Sequence, residues 1–379
     1  MTFSNMPMWK SRKNKSRSKK KDGQLPKKEF IFNNSDCIIF CSQTTKYATK
    51  LTIESIDSQN NPIYFFFKHH TCYDLLPASA KLLILDTALN IKKAFYALVY
   101  NNVRAALLWN SVRQSLTGIL TITDFIRVLV NNFQNKITNT DDVESLSIEN
   151  WITQSRRGVP HPLISVSPET SLLEAAQILI KYRYHRLPII DPVYGNPLHI
   201  LTHKRILKYI YLNRYQLPCA TCLSQTLSEL GLGAYSPQLY TVKPETKLID
   251  ALRLFLQSRV SCLPVVDDSY KVIDVYSKFD VFNLAVTRTY TDLDVCIHAA
   301  LAFHRQNRQR YPTPLSCYKD ETLDEILERV VISGVHRLLI VDRENTLEGV
   351  ISLSDILNYF ITKPPQAKGM AAKSLSLPN

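Results

Sequence analysis

The chain has 379 residues, 45% of them hydrophobic, with 46 Lys and Arg against 33 Asp and Glu and a net charge of +13. That length predicts two or three domains with ordinary apolar cores. No apolar run approaches the roughly 18 residues of a spanning helix, and the 9 glycines form no Gly-rich phosphate loop. No HExxH or GxxxxGK[ST] string is present, so those zinc and P-loop chemistries are excluded.

The charge is concentrated at the start. Residues 10–28 hold ten Lys and Arg against the single acid Asp22. Such a stretch reads as a disordered basic leader over 1–60, suited to nuclear import or to acidic surfaces, or simply solvated. It has no apolar core of a secretory signal, so the chain is expected in the cytoplasm and nucleus. The eight cysteines are then reduced thiols. Cys219 and Cys222 make one CxxC with no second pair at zinc spacing, and no metal is expected. Order is expected from about Tyr64.

One pattern then recurs four times. An amphipathic helix is predicted at 91–98, 172–179, 248–255 and 323–330, from apolar residues at i, i+3, i+4 and i+7. Thr170-Ser171, Thr246 and Thr322 are placed to cap the last three. A short strand follows at 104–109, 187–191, 263–267 and 338–342, then a turn. The second strand is predicted at 118–121, 198–202, 271–276 and 347–352. A box with the pattern S/T-x-x-D then opens a closing helix. Its fourth residues, Asp124, Arg205, Asp280 and Asp355, are spaced 81, 75 and 75 residues apart. An extra short strand is expected before three of the units, at 163–166, 238–242 and 314–318. Regular self-similarity of this kind means a repeat architecture. A unit of about 60 residues is marginal alone, so units 1 with 2 and 3 with 4 are expected to pair, joined by connectors at 132–160 and 213–235.

The strings Cys72-Tyr-Asp-Leu75, Leu120-Thr-Ile-Thr-Asp-Phe125, His185-Arg-Leu-Pro-Ile-Ile-Asp-Pro192, Tyr276-Ser-Lys-Phe-Asp280 and Val350-Ile-Ser-Leu-Ser-Asp355 carry a family likeness. The repeats resemble CBS modules, and over about 65–362 the chain resembles the γ subunits of AMP-activated protein kinase. The resemblance implies an α/β fold of four CBS modules, at 75–137, 158–221, 233–295 and 310–367. These would pair into two Bateman domains forming a flat pseudo-symmetric disk, with a disordered tail at 368–379. It implies a non-catalytic regulatory subunit with no cofactor. Its ligands would be AMP, ADP and ATP, and its partners a catalytic α and a scaffold β subunit.

An adenine nucleotide needs an apolar slot, an acceptor for the ribose hydroxyls and cations for phosphate. Asp124, Asp280 and Asp355 suit the ribose, although an Asp at a helix start also caps the helix without any ligand. The boxes add Thr121, Thr123, Thr202, Ser277, Lys278, Ser352 and Ser354. Arg205 replaces the acid in the second box, so ribose recognition is expected to fail there. Arg104, His185, Arg186, Lys204, His336 and Arg337 are the phosphate candidates. By resemblance they face a central channel, joined by Arg259, Ser261 and Arg305. Leu120, Ile164, Val260 and Leu315 would clasp the base. Ala234 stands where the family often has a Thr near a ribose.

Three rival readings are weaker. An enzyme with regulatory modules would need a catalytic domain, which the 60 leading residues and the 15-residue tail are too short to hold. A scaffold without nucleotide binding conflicts with the retained Asp and cation sets. The third, another adenosyl ligand or a metal, is disfavoured by a density of cations that suits multiply charged phosphates, and a nucleic-acid role besides would rest only on the leader, which lacks interleaved aromatics.

Overall fold

Helix, strand, strand, helix recurs four times in the computed structural model. It describes residues 62–134, 146–155, 163–217, 220–235, 239–282, 293–307 and 314–362, all within the unit Cys37–Asn379. The basic leader and the 368–379 tail lie outside the described residues.

A helix α1 (Pro62–His69) precedes the first module. That module holds β1 (Ile84–Asp86), α2 (Ile91–Tyr100), β2 (Ala105–Asn110), β3 (Ser115–Thr121) and α3 (Ile122–Gln134). After α4 (Ile148–Ser155), the second has α5 (Leu172–Lys181), β4 (Arg186–Ile190), β5 (Pro197–Thr202) and α6 (His203–Leu212). Short α7 (Ala220–Leu223), α8 (Leu227–Leu230) and β6 (Ala234–Tyr235) lead to the third: α9 (Leu248–Ser258), β7 (Cys262–Val266) and β8 (Val272–Ser277). There the closing helix begins as a single 3-10 turn, Lys278–Asp280. After α10 (Ile297–Asn307) comes the fourth module: β9 (Ser316–Cys317), α11 (Leu323–Ser333), β10 (Arg337–Val341), β11 (Leu347–Ser352) and α12 (Leu353–Thr362).

The repetition reaches single residues. After the first helix of each module one residue is left-handed: Asn102, Arg183, Arg259 and Gly334, with φ from 51° to 72°. A left-handed residue at this position stops a helix and redirects the chain. A second such residue turns each hairpin, at Gln114, Gly195, Tyr270 and Asn345. Every hairpin is antiparallel and slips by a bulge near its turn end, at Leu108/Trp109, Ile189/Ile190, Val265/Val266 and Ile340/Val341. A bulge of this kind sharpens local twist.

Most expected caps are in place. Ser171 and Thr322 accept from the third helical N–H of α5 and α11, and Asn90 does so for α2. Thr246 does not cap α9. Its hydroxyl accepts from Lys243 N–H at 3.0 Å, and Lys247 holds the cap position without a side-chain bond. The extra leading strand is reduced to bridges Val166–Ile189 and Val242–Val265 in modules 2 and 3, and to β9 in module 4. Module 1, where none was expected, has β1, parallel to β2.

Modules 3 and 4 pair as expected. β6, from the chain entering module 3, completes the module 4 sheet beside β11. Val266, Val272 and Val275 pack with Leu339, Val341 and Leu347. Chain from before module 1 packs on module 2 in the same way: α1 lies on α5, and Cys72 N–H donates to Thr170 O at 2.9 Å. The helical layers then cross these pairs. One core joins α5 and α6 of module 2 to α11 and α12 of module 4. The other joins modules 1 and 3, where Phe95 stacks on Phe125 and meets Phe282 edge-on. Each fully buried Leu, Ile or Phe contributes about 1.5–3 kcal/mol, so modules 3 and 4 are each stabilised by two neighbours. Among the described residues no helix is long and apolar enough to cross a membrane.

Candidate functional site

The strand that follows each left-handed residue starts at the same place in every module. Two positions on from that residue stand Arg104, His185, Ser261 and His336, and the next position holds Ala105, Arg186, Cys262 and Arg337. Equivalent positions of a pseudo-symmetric fold can converge, and here they do. One cleft of about 660 Å³ is lined by Arg104, His185, Arg186, Lys204, Arg259, Ser261, Lys278, His336 and Arg337. All four modules contribute. Six are Arg or Lys, whereas Asp355 is the only carboxylate among the described lining residues.

The hydroxyls of the boxes edge the same cleft. Thr121, Thr123, Thr202, Ser277, Ser352 and Ser354 all line it. The carboxylates behave differently from a simple N-cap. Each folds back on its own box, three residues into the helix. Asp124 Oδ2 accepts from the N–H and hydroxyl of Thr121, both at 2.8 Å, and Oδ1 accepts from Arg127 at 3.1 Å. Asp355 Oδ2 accepts from the Ser352 N–H at 2.8 Å and hydroxyl at 2.7 Å. Asp280 Oδ2 accepts from Ser277 N–H at 2.7 Å. Asp124 and Asp280 are 6% and 4% exposed and lie behind the cleft wall, whereas Asp355 reaches its surface. In the second box Arg205 turns away altogether, donating from Nε to Leu75 O at 2.8 Å. It ties the chain before module 1 to module 2.

Of the four base-slot candidates, Val260 and Leu315 line the cleft. Leu120 is buried in the module 1 and 3 core, and Ile164 packs on the module 2 and 4 core. Leu120 is on β3, whereas Ile164 lies in the chain leading to the Val166 bridge. Arg305 belongs to α10, but its side chain lies outside the described residues. Ala234 is in the lining, beside Tyr240 and Pro314. The sequence reading missed His203, the first residue of α6. It is 5% exposed, its ring centroid is 5.4 Å from that of His185, and it lines the cleft. The signal was present in Thr202-His-Lys-Arg205, where one residue separates two candidates.

Electrostatics follow from so many like charges. Burial draws His336 down to about 2, aided by Arg104, Lys204, Arg337 and Arg186. Burial and then His185 draw His203 to about 3. His185 is lowered to about 4 by burial, Arg186, Arg337 and Lys278. It stays exposed at the rim, so solvent softens that shift more than the other two. Lys278 falls to about 8 and Arg186 to about 10, burial leading in both. Arg104 is lowered by burial while its guanidinium stacks 4.7 Å from the Phe279 ring. Among the described lining residues the cations outnumber the carboxylates, and such an excess of desolvated positive charge attracts a polyanion. Among the described residues no group of three or more His, Cys, Asp or Glu is placed to hold a metal.

Comparison with known proteins agrees with this architecture. The CBS domain family matches residues 159–212, 232–286 and 311–362; module 1 repeats their element order outside that match. The sequence is 45% identical over 307 residues to the gamma-3 subunit of human 5'-AMP-activated protein kinase, covering 81% of this chain and 62% of the relative. The Sus scrofa gamma-3 subunit is also 45% identical, with 59% of it covered. The chain thus spans about three fifths of the length of these curated relatives. Protein MJ1225 of Methanocaldococcus jannaschii shares the fold, with a TM-score of 0.61 and 14% identity over 76% of this chain and 99% of that one. The chain thus contains CBS domains and is similar in sequence to the γ subunits of AMP-activated protein kinase.

Proposed function

We propose that this chain is a non-catalytic regulatory subunit that senses AMP, ADP and ATP in competition and controls a kinase catalytic α subunit, with a β subunit as scaffold. The observation that carries the reading is the convergence of cations from all four modules on one cleft edged by box hydroxyls. The names of the gamma-3 relatives support the kinase assignment.

Phosphate would be held by Arg104, Arg186, Lys204, Lys278 and Arg337. Arg gives forked donors and Lys a compact charge. Ribose would be held at the boxes. Asp355 is best placed for it, since it reaches the cleft while Oδ2 alone is engaged by its own box. Asp124 and Asp280 would hold the box loops, and would meet a ribose only after a side-chain rotation. Val260 and Leu315 would cover a base. Overlapping phosphate positions make mono-, di- and triphosphates exclude one another. Control of a partner then requires that the ligands differ in affinity between two states of the complex. Because the site is built between modules, a ligand there can bias how they pack.

Calorimetric titration of the chain with AMP, ATP and a non-adenine nucleotide tests this. AMP and ATP should bind and displace each other, and the non-adenine nucleotide should bind more weakly. A folded sample that binds none of them would leave a CBS-fold scaffold. Co-purification with α and β subunits tests the assembly separately.

A further inference from the structure

Among the described residues three imidazoles face the cleft; His336 and His185 are packed against cations, and His203 against the His185 ring. His336 faces Arg104, Lys204, Arg337 and Arg186. His185 faces Arg186, Arg337, Lys278 and, at 5.4 Å between ring centroids, His203. The nearest acids offset these charges only in part, Asp280 acting on Arg104 and Asp124 on Arg186 and Lys278. Asp355 lies on the cleft, while Asp124 and Asp280 are buried behind it and bonded to their own boxes. We propose that a multiply charged phosphate enters this cleft together with protons, taken up by His336, His185 and His203, so that the site reads acidity as well as phosphate.

The argument is electrostatic. Without a ligand, burial and neighbouring cations keep all three rings neutral near pH 7. A neutral imidazole can donate only one hydrogen bond and adds no charge attraction. A phosphate group brings close to two negative charges at pH 7. Placed among the same side chains, it offsets part of the positive potential, so protonation of the rings is favoured relative to the empty cleft. Each ring then gains a second donor and a positive charge. Histidine suits this because its ordinary pKa, about 6.5, is close to the working pH. His203 becomes a further site residue, acting through and beside His185. The inference rests on the polyanion reading above and adds a regulatory input to it.

Linkage makes it measurable. Each proton taken up steepens binding by about tenfold per pH unit. The second ionisation of the phosphate, near pH 6, acts in the opposite direction, because binding the dianion releases a proton. Net uptake therefore cannot come from the ligand. The experiment is calorimetry of the full chain with AMP at pH 7 in buffers of low and high ionisation enthalpy. The expected result is a heat difference equivalent to about one proton absorbed per AMP, with affinity rising roughly tenfold between pH 8 and pH 7. The H185Q/H336Q double variant should lose most of that uptake. If those substitutions perturb folding, the imidazole proton shifts of the unaltered chain, titrated with and without AMP, give the same answer. AMP that binds with no uptake, or with release, overturns the proton coupling alone. AMP that does not bind at any pH overturns the site reading and this inference together.

Discussion

The ammonium of Lys204 donates to the main-chain carbonyl of Gly334 at 3.1 Å, across 130 residues of sequence. Gly334 ends α11 with φ +72°, and a Cβ added there would lie 2.8 Å from Lys204 Nζ. At the matching positions Asn102, Arg183 and Arg259 tolerate φ near 51–57° with full side chains. Glycine in module 4 thus lets the Lys204 ammonium approach closely, where a Cβ would push that flexible side chain aside. It leaves room for a cation of module 2 beside the His336 and Arg337 pair.

Gly334→Ala should consequently do two things. A Cβ in the left-handed region costs about 1–2 kcal/mol, and denaturant unfolding should show a loss of that order. Displacing Lys204 should also weaken AMP binding. A variant with both stability and affinity unchanged would remove this contact from the account.

Arg337→Gln and His185→Ala should each weaken AMP binding by about tenfold or more, roughly 1.4 kcal/mol, with the circular dichroism spectrum retained. Neither side chain belongs to an apolar core cluster. Equal affinity in both variants would show that these residues do not meet phosphate.

The two buried roles of the boxes can be separated. Asp355→Ala should cost about 1 kcal/mol of stability through its lost capping bonds. It should also lower affinity for AMP more than for inorganic phosphate, which has no ribose. Asp280→Ala should likewise cut AMP affinity if the carboxylate rotates toward a ribose, by about 1.5–3 kcal/mol for a charge-assisted bond. A loss of stability with no loss of AMP affinity would assign Asp280 to the loop alone.

The crowded cations predict how the ligand-free chain responds to pH and to charge removal. His203 and His336 have folded values far below the ordinary 6.5. Below 6.5 the unfolded chain binds more protons than the folded one, so stability is full above that pH and falls as pH drops toward about 3. Thermal melting at pH 5 should therefore occur below that at pH 7.5, and added AMP should narrow the gap. Lys278, lowered to about 8 by burial and then by Arg337 and Arg127, carries the same cost in another form. Lys278→Met should raise the melting temperature of the free chain while weakening nucleotide binding, a trade between stability and function. A melting temperature that falls in Lys278→Met would contradict the repulsion.

Much of this molecule was legible in one dimension. The 3.6-residue spacing placed α2, α5, α9 and α11, and the recurring box marked where β3, β5, β8 and β11 hand over to the next turn. The departure at Arg205 was visible too, and in the structure that side chain serves Leu75 O. The cap at Thr246 was misread because Thr can bond either a helix N–H or its own turn, and spacing does not separate the two. Leu120 and Ile164 stand with the core clusters rather than in the cleft lining, because periodicity marks a residue as apolar without saying which packed surface takes it.

The sequence by itself determined the unit: four copies of one helix, strand, strand, helix pattern, each with a hydroxyl box and a polar start to its first strand. That information is local, written in periodicity and in short-range capping bonds. Only the tertiary structure decided that helices pair 1 with 3 and 2 with 4 and, among the described residues, that six cations and three imidazoles meet in one cleft and that Asp355 is the one acid reaching it. The physical reason is that charge crowding and burial are properties of distances between residues far apart in the chain. They arise when apolar faces that each module cannot cover alone find one another.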